Sequence, residues 1–347
     1  MDEQGQNNDN CAPPGRIRVG VAYNIKKNII ANLPDAEAEF DDPNTIQAIK
    51  NALEESGYEV ELLEANGQFP ASVAQCKPDI VFNIAEGFSG RGREAHIPAI
   101  LNFIGIPFTG SDETTMCVTM DKPLAKKILS IHRVTTPKYK VFGSADKISV
   151  RGLKFPLIVK PTAEGSGKGI SSQSVVYDLA GLKSALSKSI ENYCQIMLVE
   201  EYISGREFTV GILGNGRDVR VFPPMEIIFR ENSGSIAHNI YSYEIKSRFE
   251  DYVDYKCPPD LSDGAQAELM RIARRVYDIL ECRDFARIDF RMDGLGKFYF
   301  IELNPLPGLA PGYSDFPILA GLCGLSYKDL INQILTSAMI RYGISKA

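Results

Sequence analysis

The fold of this chain is decided by Phe285-Ala-Arg-Ile-Asp-Phe290 and Phe298-Tyr-Phe-Ile-Glu-Leu-Asn-Pro305, two apolar segments near the C-terminus. Side chains of a strand alternate between its faces, so Arg287 and Asp289 share one side, and Glu302 and Asn304 share one side. The Asp-Gly pair between the segments predicts a hairpin turn. Pairing the strands would bring three oxygen ligands and a guanidinium to one face, a set that suits Mg²⁺ bound with nucleotide phosphates. The pattern alone is equally typical of two amphipathic strands with solvated polar faces.

Size and composition favour a multidomain globular protein. The chain has 347 residues, of which 44% are hydrophobic and 24% are charged. This length predicts two or three domains. The net charge of -6 argues against broad nucleic-acid binding. No apolar run of about 18 residues is present, so no membrane span is expected.

The first residues and the cysteines favour the cytoplasm. The stretch 1–14 is polar and acidic and lacks the features of a secretory signal, so 1–16 is expected to be a disordered lead. The seven cysteines are scattered without a CxxC pair, which is typical of reduced thiols. The three histidines are isolated from one another and from the cysteines in sequence, which disfavours zinc.

The order of strand and helix signals divides the chain into three regions. Residues 17–118 alternate strands with helices, which predicts a parallel α/β domain. From 119 onward the strands come in runs, which indicates α+β architecture in a central region, 119–208, and a C-terminal region, 209–347. The alternating strands are expected at 17–23, 58–63 and 79–84.

A glycine-rich loop, Glu164-Gly-Ser-Gly-Lys-Gly169, could bring backbone N–H groups close to phosphate oxygens. The loop has neither the residue spacing of a P-loop nor the position of a dinucleotide-binding fingerprint. The alternative to a phosphate-binding loop is a flexible surface turn. Lys160 ends an apolar strand shortly before the loop, where it could meet an anion. Lys122 follows a candidate N-cap and could add a second cation, although local sequence favours an ordinary solvated lysine.

The segment Val199-Glu-Glu-Tyr-Ile-Ser-Gly-Arg-Glu207 reads as a strand that runs into a turn. Its backbone could face an adenine edge, and Glu207 could accept hydrogen bonds from ribose hydroxyls. The alternative is a charged edge strand that is protected from aggregation.

These parts follow one another in a definite order: Met-Asp-Lys, Phe-Pro-Leu-Ile-Val-Lys-Pro, the glycine loop, Val-Glu-Glu-Tyr-Ile-Ser-Gly-Arg-Glu, Ala-Arg-Ile-Asp-Phe and Ile-Glu-Leu-Asn-Pro-Leu-Pro-Gly. The order resembles the ATP-grasp superfamily, and within it the D-alanine–D-alanine ligase family, over nearly the whole chain (about 17–342). The resemblance implies an ATP-grasp fold of three domains, with ATP between the central and C-terminal ones.

The resemblance also implies roles for individual residues. Those expected to contact the nucleotide are Lys122, Lys160, Glu164, Gly165, Ser166, Gly167, Glu200, Glu201, Ile203, Glu207 and Lys246. Two Mg²⁺ ions, with Mn²⁺ as an alternative, would be held by Asp289, Glu302 and Asn304. The residues expected at the reacting groups are Arg287, Lys246, Ser166 and Gly308.

The implied reaction is ATP-dependent ligation of two small molecules, with amino acids as the expected substrates. A carboxylate attacks the γ-phosphorus to form an acyl phosphate, and an amine then displaces phosphate. The absence of a Cys–His or Ser–His arrangement agrees with a mechanism that has no covalent enzyme intermediate. The family further suggests a homodimer through the N-terminal region.

The substrate half departs from the family pattern. The family's glycine-rich Gly-Gly-x-Ser-x-Glu segment is replaced by Tyr-Asn-Ile-Lys-Lys-Asn, and Glu86 stands where the family has a histidine. The residues expected to face the substrates are Glu86, Glu94, Ser314 and Tyr313. The loop that contains Glu86 and Glu94 also carries two arginines, so it could recognise charged groups of either sign, or be merely solvated and mobile.

Three alternatives to a D-alanine ligase therefore remain open. The first is an amino-acid ligase of specialised metabolism, similar to those that attach serine or threonine to a mycosporine core. The second is an ATP-binding regulatory homologue that has lost catalysis, and the third is a carboxylate kinase or a biotin-carboxylase-like enzyme. In each ligase reading the polar segment 230–256 is expected to be mobile until nucleotide binds.

Overall fold

The structure, a computed structural model, describes residues 16–27, 35, 37–165, 167–230, 245–246 and 248–345. Ser166 and most of the segment expected to be mobile, 231–244 with 247, lie outside the described residues. No described helix is both long enough and apolar enough to cross a membrane.

The N-terminal sheet is parallel, as the alternation of strands and helices predicts. Its strands are β1 (Arg18–Tyr23), β2 (Glu59–Glu64) and β3 (Ile80–Asn83). They are ordered β2-β1-β3, so β1 is central, and its Val19, Val21 and Ala22 are fully buried. Buried strands of a parallel sheet are apolar on both faces because helices cover both sides.

The central sheet is antiparallel and is ordered β4-β7-β5-β6. Its strands are β4 (Tyr139–Phe142), β5 (Leu157–Pro161), β6 (Val175–Val176) and β7 (Met197–Glu201). The alternative of a charged edge strand is wrong for β7, because β4 and β5 pair with its two sides. The glutamates of β7 are therefore not there to protect an edge.

The C-terminal sheet contains the predicted hairpin. Its strands are β8 (Arg206–Leu213), β9 (Arg220–Val221), β10 (Met225–Phe229), β11 (Val253–Lys256), β12 (Phe285–Met292) and β13 (Phe298–Asn304). The order is β11-β10-β8-β12-β13, and β9 pairs with β8. At the turn the Asp293 side chain accepts hydrogen bonds from the backbone of Leu295 and Lys297, at 2.9 and 3.0 Å.

The described α-helices are Pro43–Glu54, Phe69–Cys76, His96–Ile104, Glu113–Met120, Lys122–Ile131, Leu179–Tyr193, Phe249–Tyr252, Asp263–Ile279, Asp315–Leu322 and Tyr327–Tyr342. Side-chain caps explain several of the starts. Asp42 caps the first helix and Asp121 the fifth, each accepting from a backbone N–H in the first turn. A proline in the first turn of both helices supports the start because it needs no backbone donor there.

The first and last parts of the chain share one hydrophobic core. The largest buried cluster combines residues of the N-terminal sheet with residues of the C-terminal helix, such as Tyr58 and Met339. Below it, the fully buried Asp284 carboxylate accepts from Gly110 N–H at 2.8 Å and from Arg341 at 2.7 Å. This packing fixes the N-terminal domain beside the C-terminal sheet, where the substrate cavity described below is formed.

Two of the predicted domain limits fall inside continuous elements. The limit at 118/119 lies within the helix Glu113–Met120, and the limit at 208/209 lies within β8. A boundary before β8 would keep the C-terminal sheet intact, because β8 pairs along its whole length with β12.

Candidate active site

The polar face of the β12–β13 hairpin forms the centre of the site. In the paired strands Arg287 lies opposite Asn304, and Asp289 lies opposite Glu302. Arg287 donates to both oxygens of Asp289, at 3.0 and 2.9 Å. Asn304 donates to Asp289 at 3.2 Å, and the Thr209 hydroxyl on β8 donates at 2.6 Å. The structure thus brings together the four side chains that strand alternation predicted on one face.

Glu302 is held in its ionised form by surrounding cations. The Lys122 ammonium lies 3.5 Å from the Glu302 carboxylate. Burial alone would raise the pKa of Glu302, but four cations lower it to about 2: Lys122, Lys160, Lys246 and Arg287. The solvated lysine that local sequence favoured at 122 is wrong, since this side chain is buried and also donates to the Glu164 carbonyl.

The oxygen atoms of Asp289, Glu302 and Asn304 are the donors available for a divalent cation. Each oxygen of Asp289 already accepts two hydrogen bonds, so a metal there has to displace a donor, and Asn304 makes the longest of these bonds. Among the described residues, no group of three or more His, Cys, Asp or Glu side chains forms a metal site by itself. This donor set fits a cation whose remaining ligands come from water and nucleotide phosphates.

A buried ion-pair network sits beneath the nucleotide side of the site. The Glu200 carboxylate contacts the Lys160 ammonium through one oxygen and lies 3.0 Å from the Lys126 ammonium through the other. All three side chains are at least 97% buried. Burial lowers the pKa of Lys126 to about 8 even though Glu200 favours the charged form. The Glu200 carboxylate is therefore engaged with two lysines.

Lys126 was not expected from the sequence, although a signal was present. It lies four residues after Lys122 in the helix Lys122–Ile131, whose buried face also includes Ala125 and Leu129. This spacing places both lysines on the apolar stripe of the helix, where an unpaired charge is costly. Two lysines on a buried stripe indicate an anionic partner.

The glycine loop is tied down by carboxylates from the N-terminal domain. Gly165 N–H donates to Glu39 at 2.6 Å, and Gly169 N–H donates to Asp35 at 2.8 Å. Gly167 and Gly169 have φ values of 73° and 75°, a region that favours glycine. The free surface turn considered above does not describe these residues. Their N–H groups already donate to anionic oxygens, which is the chemistry a phosphate would offer.

The cleft between the central and C-terminal sheets contains seven of the eleven residues expected at a nucleotide. Lys122, Glu164 and Gly165 are not among its lining residues, and Ser166 lies outside the described residues. The cleft is lined by residues that include Lys160, Gly167, Glu200, Glu201, Ile203, Glu207, Lys246, Asp289 and Glu302. Its cavity volume is about 80 Å³, whereas ligand pockets typically measure roughly 300–1,000 Å³. Entry of a nucleotide therefore requires the walls of the cleft to separate.

Glu201 and Glu207, expected at the adenine and the ribose, both accept hydrogen bonds from other parts of the chain. Glu201 accepts the Lys154 backbone N–H at 2.9 Å, which holds its carboxylate on the side of that loop. Glu207 accepts from Arg291 at 3.2 Å, and the Arg291 guanidinium stacks on the Tyr202 ring at 4.9 Å. Burial raises the pKa of Glu207 despite this cation.

The residues expected at the two substrates share a second, larger cavity of about 540 Å³. Those that line it are Glu86, Glu94, Lys246, Arg287, Gly308, Tyr313 and Ser314. Lys246 lines both this cavity and the nucleotide cleft. The two spaces therefore meet at the hairpin.

Gly308 and Ser314 lie against each other at one wall of the substrate cavity. A Cβ atom added to Gly308 would lie 2.8 Å from the Ser314 Oγ. Ser314 also accepts the Ala310 backbone N–H at 3.1 Å, which folds the loop between them. A side chain at position 308 would therefore require the Ser314 hydroxyl to move.

Arg287 has a second carboxylate partner that the sequence analysis did not assign. Its Nη1 lies 3.3 Å from Asp315, whose other oxygen accepts from the Tyr255 hydroxyl at 3.0 Å. These carboxylates raise the pKa of Arg287, against the effect of its burial. Arg287 is thus a fixed cation whose position is set from two sides.

The loop that carries Glu86 and Glu94 is solvated only in part. Phe88, Ser89 and Gly90 are exposed, but Arg93 and Glu94 are buried. Arg93 donates to Glu39 at 2.5 and 2.6 Å and to Glu164 of the glycine loop at 3.1 Å. A wholly solvated, mobile loop is therefore wrong for its second half.

Comparisons with known proteins agree with this architecture. The family model described as "D-ala D-ala ligase C-terminus" matches residues 133–336. A D-alanine–D-alanine ligase of Aquifex aeolicus is 32% identical over 293 residues, which cover 84% of this chain and 94% of that protein. The uncharacterized protein y4sG of Sinorhizobium fredii is 33% identical over 299 residues, covering 84% of this chain and 86% of that protein.

A solved structure gives the same fold. The D-alanine–D-alanine ligase of Bacillus anthracis, crystallised with ATP, superposes with a TM-score of 0.73 at 22% identity, over 95% of this chain and 100% of that one. This similarity confirms the predicted ATP-grasp fold with its parallel N-terminal sheet. Together with the family match and the relatives above 30% identity, it supports an ATP-dependent ligase. The chain belongs to the D-alanine–D-alanine ligase family.

Proposed function

We propose that this protein is an ATP-dependent ligase that joins a small carboxylate substrate to an amine through an acyl phosphate. The main support is the meeting of the two cavities at the hairpin. Asp289 and Glu302 line the nucleotide cleft, Arg287 and Asn304 line the substrate cavity, and Lys246 lines both. A γ-phosphate in the cleft would therefore lie next to a carboxylate in the cavity.

In the first step a substrate carboxylate oxygen attacks the γ-phosphorus, and ADP leaves. Arg287 and the Gly308 backbone would position that carboxylate at the cavity wall. Lys122, Lys160 and Lys246 surround Glu302 and would neutralise the charge of the phosphates. Phosphoryl transfer depends mainly on positioning and charge neutralisation, so this set of side chains suffices without a nucleophile of the protein.

The residues also fit the groups that family membership implies. Divalent cations held by Asp289, Glu302 and Asn304 would neutralise charge on the β- and γ-phosphates. The N–H groups of the glycine loop would cover those phosphates once they release Glu39 and Asp35. Glu200 would position Lys160, because the two are paired in the buried network.

In the second step an amine attacks the acyl phosphate carbon, loses a proton and displaces inorganic phosphate. An oxyanion develops at the carbonyl oxygen during this attack. Arg287, held between Asp289 and Asp315, would stabilise it. Loss of one such donor typically raises the barrier by about 2.7–4 kcal/mol.

Glu86 favours a substrate other than two D-alanines. The family has a histidine where this chain has Glu86, and this side chain lines the substrate cavity. A ligase of specialised metabolism, such as one that attaches serine or threonine to a mycosporine core, is therefore the second candidate. A silent regulatory homologue is less well supported, because the ionised Glu302 and the Arg287–Asp289 pair are both in place.

A substrate panel tests the proposal. Purified protein with ATP and Mg²⁺ is incubated with D-alanine, other amino acids and mixed pairs, and phosphate release is measured. We expect release that depends on an amino acid and is lost in Glu302→Gln. Robust turnover with D-alanine alone would remove the specialised alternative. Absence of substrate-dependent release across a broad panel, with folded protein, would contradict the ligase.

A further inference from the structure

Two glutamates, Glu86 and Glu94, line the substrate cavity. Glu86 follows β3 by three residues, at the carboxyl end of the parallel sheet, where ligands of α/β sheets bind. Glu94 is only 8% exposed, and the exposed part faces the same cavity. Glu86 lines this cavity as well, so the two carboxyl groups share one wall.

A third acid belongs to the same wall. Asp41 lies beside the continuation of β1, where its backbone N–H donates to the Asn24 carbonyl at 2.9 Å, and its side chain lines the cavity. Burial raises the pKa of Asp41 and of Glu94 to about 7. Burial and the carboxylates of Glu94, Glu39 and Asp41 also raise the pKa of Glu86.

The described part of the chain supplies no ion-pair partner to Glu86 or Glu94. Arg93, which precedes Glu94, donates to Glu39, Glu164 and the Ala163 carbonyl, and Arg91 pairs with Asp121. Arg287 is likewise held by Asp289 and Asp315. Residues outside the described ones include only two basic side chains, His238 and Lys346.

A resident metal ion does not account for the cluster. Among the described residues, no group of three acidic, histidine or cysteine side chains has the arrangement of a metal site. Lys26 lines the same cavity and acts to lower the pKa of Asp41, so Glu86 and Glu94 are the two carboxyl groups without an ion-pair partner among the described residues. A single α-ammonium group would leave one of these two without a cation. Buried carboxylates need paired cations because desolvation is costly.

We propose that Glu86, Glu94 and Asp41 form a subsite for a second cationic group of the substrate, so that the activated carboxylic acid is an amino acid with an ammonium or guanidinium side chain. This inference rests on the proposed ligase function. The cavity of about 540 Å³ has room for such a side chain between this wall and the Arg287 end, where the carboxylate would sit.

The test compares isosteric amino acids. Ornithine and norleucine differ in that an ammonium replaces a terminal methyl group, and both enantiomers of each are used. Hydroxylamine serves as the common amine, so phosphate release reports activation of the carboxylate alone. We expect kcat/KM to be at least about tenfold higher for one enantiomer of ornithine than for norleucine, the effect of one charge-assisted hydrogen bond.

Two variants and a control assign the preference to this subsite. Glu86→Gln and Glu94→Gln should each lower the ornithine-to-norleucine ratio about tenfold, and the first remains informative if the more buried Glu94 variant does not fold. The matched control is Glu61→Gln, an exposed glutamate on β2, which should leave the ratio unchanged. A norleucine or alanine rate equal to that of ornithine, or a ratio unaffected by Glu86→Gln, would overturn the subsite while leaving the ligase intact. No release with any amino acid would overturn the ligase itself.

Discussion

Glu302→Gln is the substitution whose effect can be worked out most fully from the structure. Glu302 is surrounded by the cations of Lys122, Lys160, Lys246 and Arg287, and only 18% of its side chain is exposed. Its pKa falls from an ordinary 4.5 to about 2. At about 1.4 kcal/mol for each tenfold change in proton affinity, the carboxylate contributes about 3 kcal/mol to stability at neutral pH.

The sign of the pH dependence follows from the lowered pKa. The folded protein binds the proton more weakly than the unfolded chain, so this contribution is complete well above pH 4.5 and is lost as the pH falls towards 2. At pH 3 about 1 kcal/mol should remain. Wild type and Glu302→Gln should therefore differ by about 3 kcal/mol in unfolding free energy at pH 7 and converge in acid.

Urea denaturation at several pH values measures this difference, and phosphate release measures activity. Glu268→Gln is the control, because Glu268 is exposed on the helix Asp263–Ile279 and should change neither. Glu302→Gln should remain folded at pH 7 but release no phosphate, because the neutral amide lacks the negative charge with which the carboxylate would bind the metal ion. Equal stability of wild type and Glu302→Gln at all pH values would refute the electrostatic reasoning, and wild-type activity would refute the assigned role.

The remaining predictions concern three other contacts. Lys160→Ala removes a 3% exposed ammonium from the nucleotide cleft, so ATP affinity measured by calorimetry should fall at least about tenfold; unchanged affinity would exclude a phosphate contact. Gly308→Ala places a methyl group 2.8 Å from the Ser314 Oγ and should destabilise the protein by about 1–3 kcal/mol in urea. The double variant with Ser314→Ala should recover part of this loss, and no recovery would show that the clash is not the cause. Arg341→Met leaves the fully buried Asp284 without its cation and should cost about 3–5 kcal/mol, as seen in thermal and urea unfolding; a loss below about 1 kcal/mol would contradict the buried pair.

Local patterns predicted the elements that carry the site. The Asp-Gly turn and strand alternation placed Arg287, Asp289, Glu302 and Asn304 on one face, as the structure shows. These features depend on side-chain period and on the turn sequence, which act over a few residues.

Partners that come from distant parts of the chain could not be predicted in this way. Glu39 and Arg93 are 54 residues apart, and Glu39 and Gly165 are 126 apart. Strand order decides whether β7 is central or at an edge, and no local pattern encodes strand order. The burial of Lys126 was visible as helical spacing, but its partner Glu200 was not.

The hydrogen bond between the Gly165 N–H and the Glu39 carboxylate matters when domains are exchanged between family members. Glu39 belongs to the wall of the substrate cavity, yet it also holds the loop proposed to cover the phosphates. Transplanting the first domain from a relative without this glutamate would leave the Gly165 N–H unpartnered and would loosen the loop. Chimeras built to broaden substrate range should therefore also inherit altered affinity for ATP.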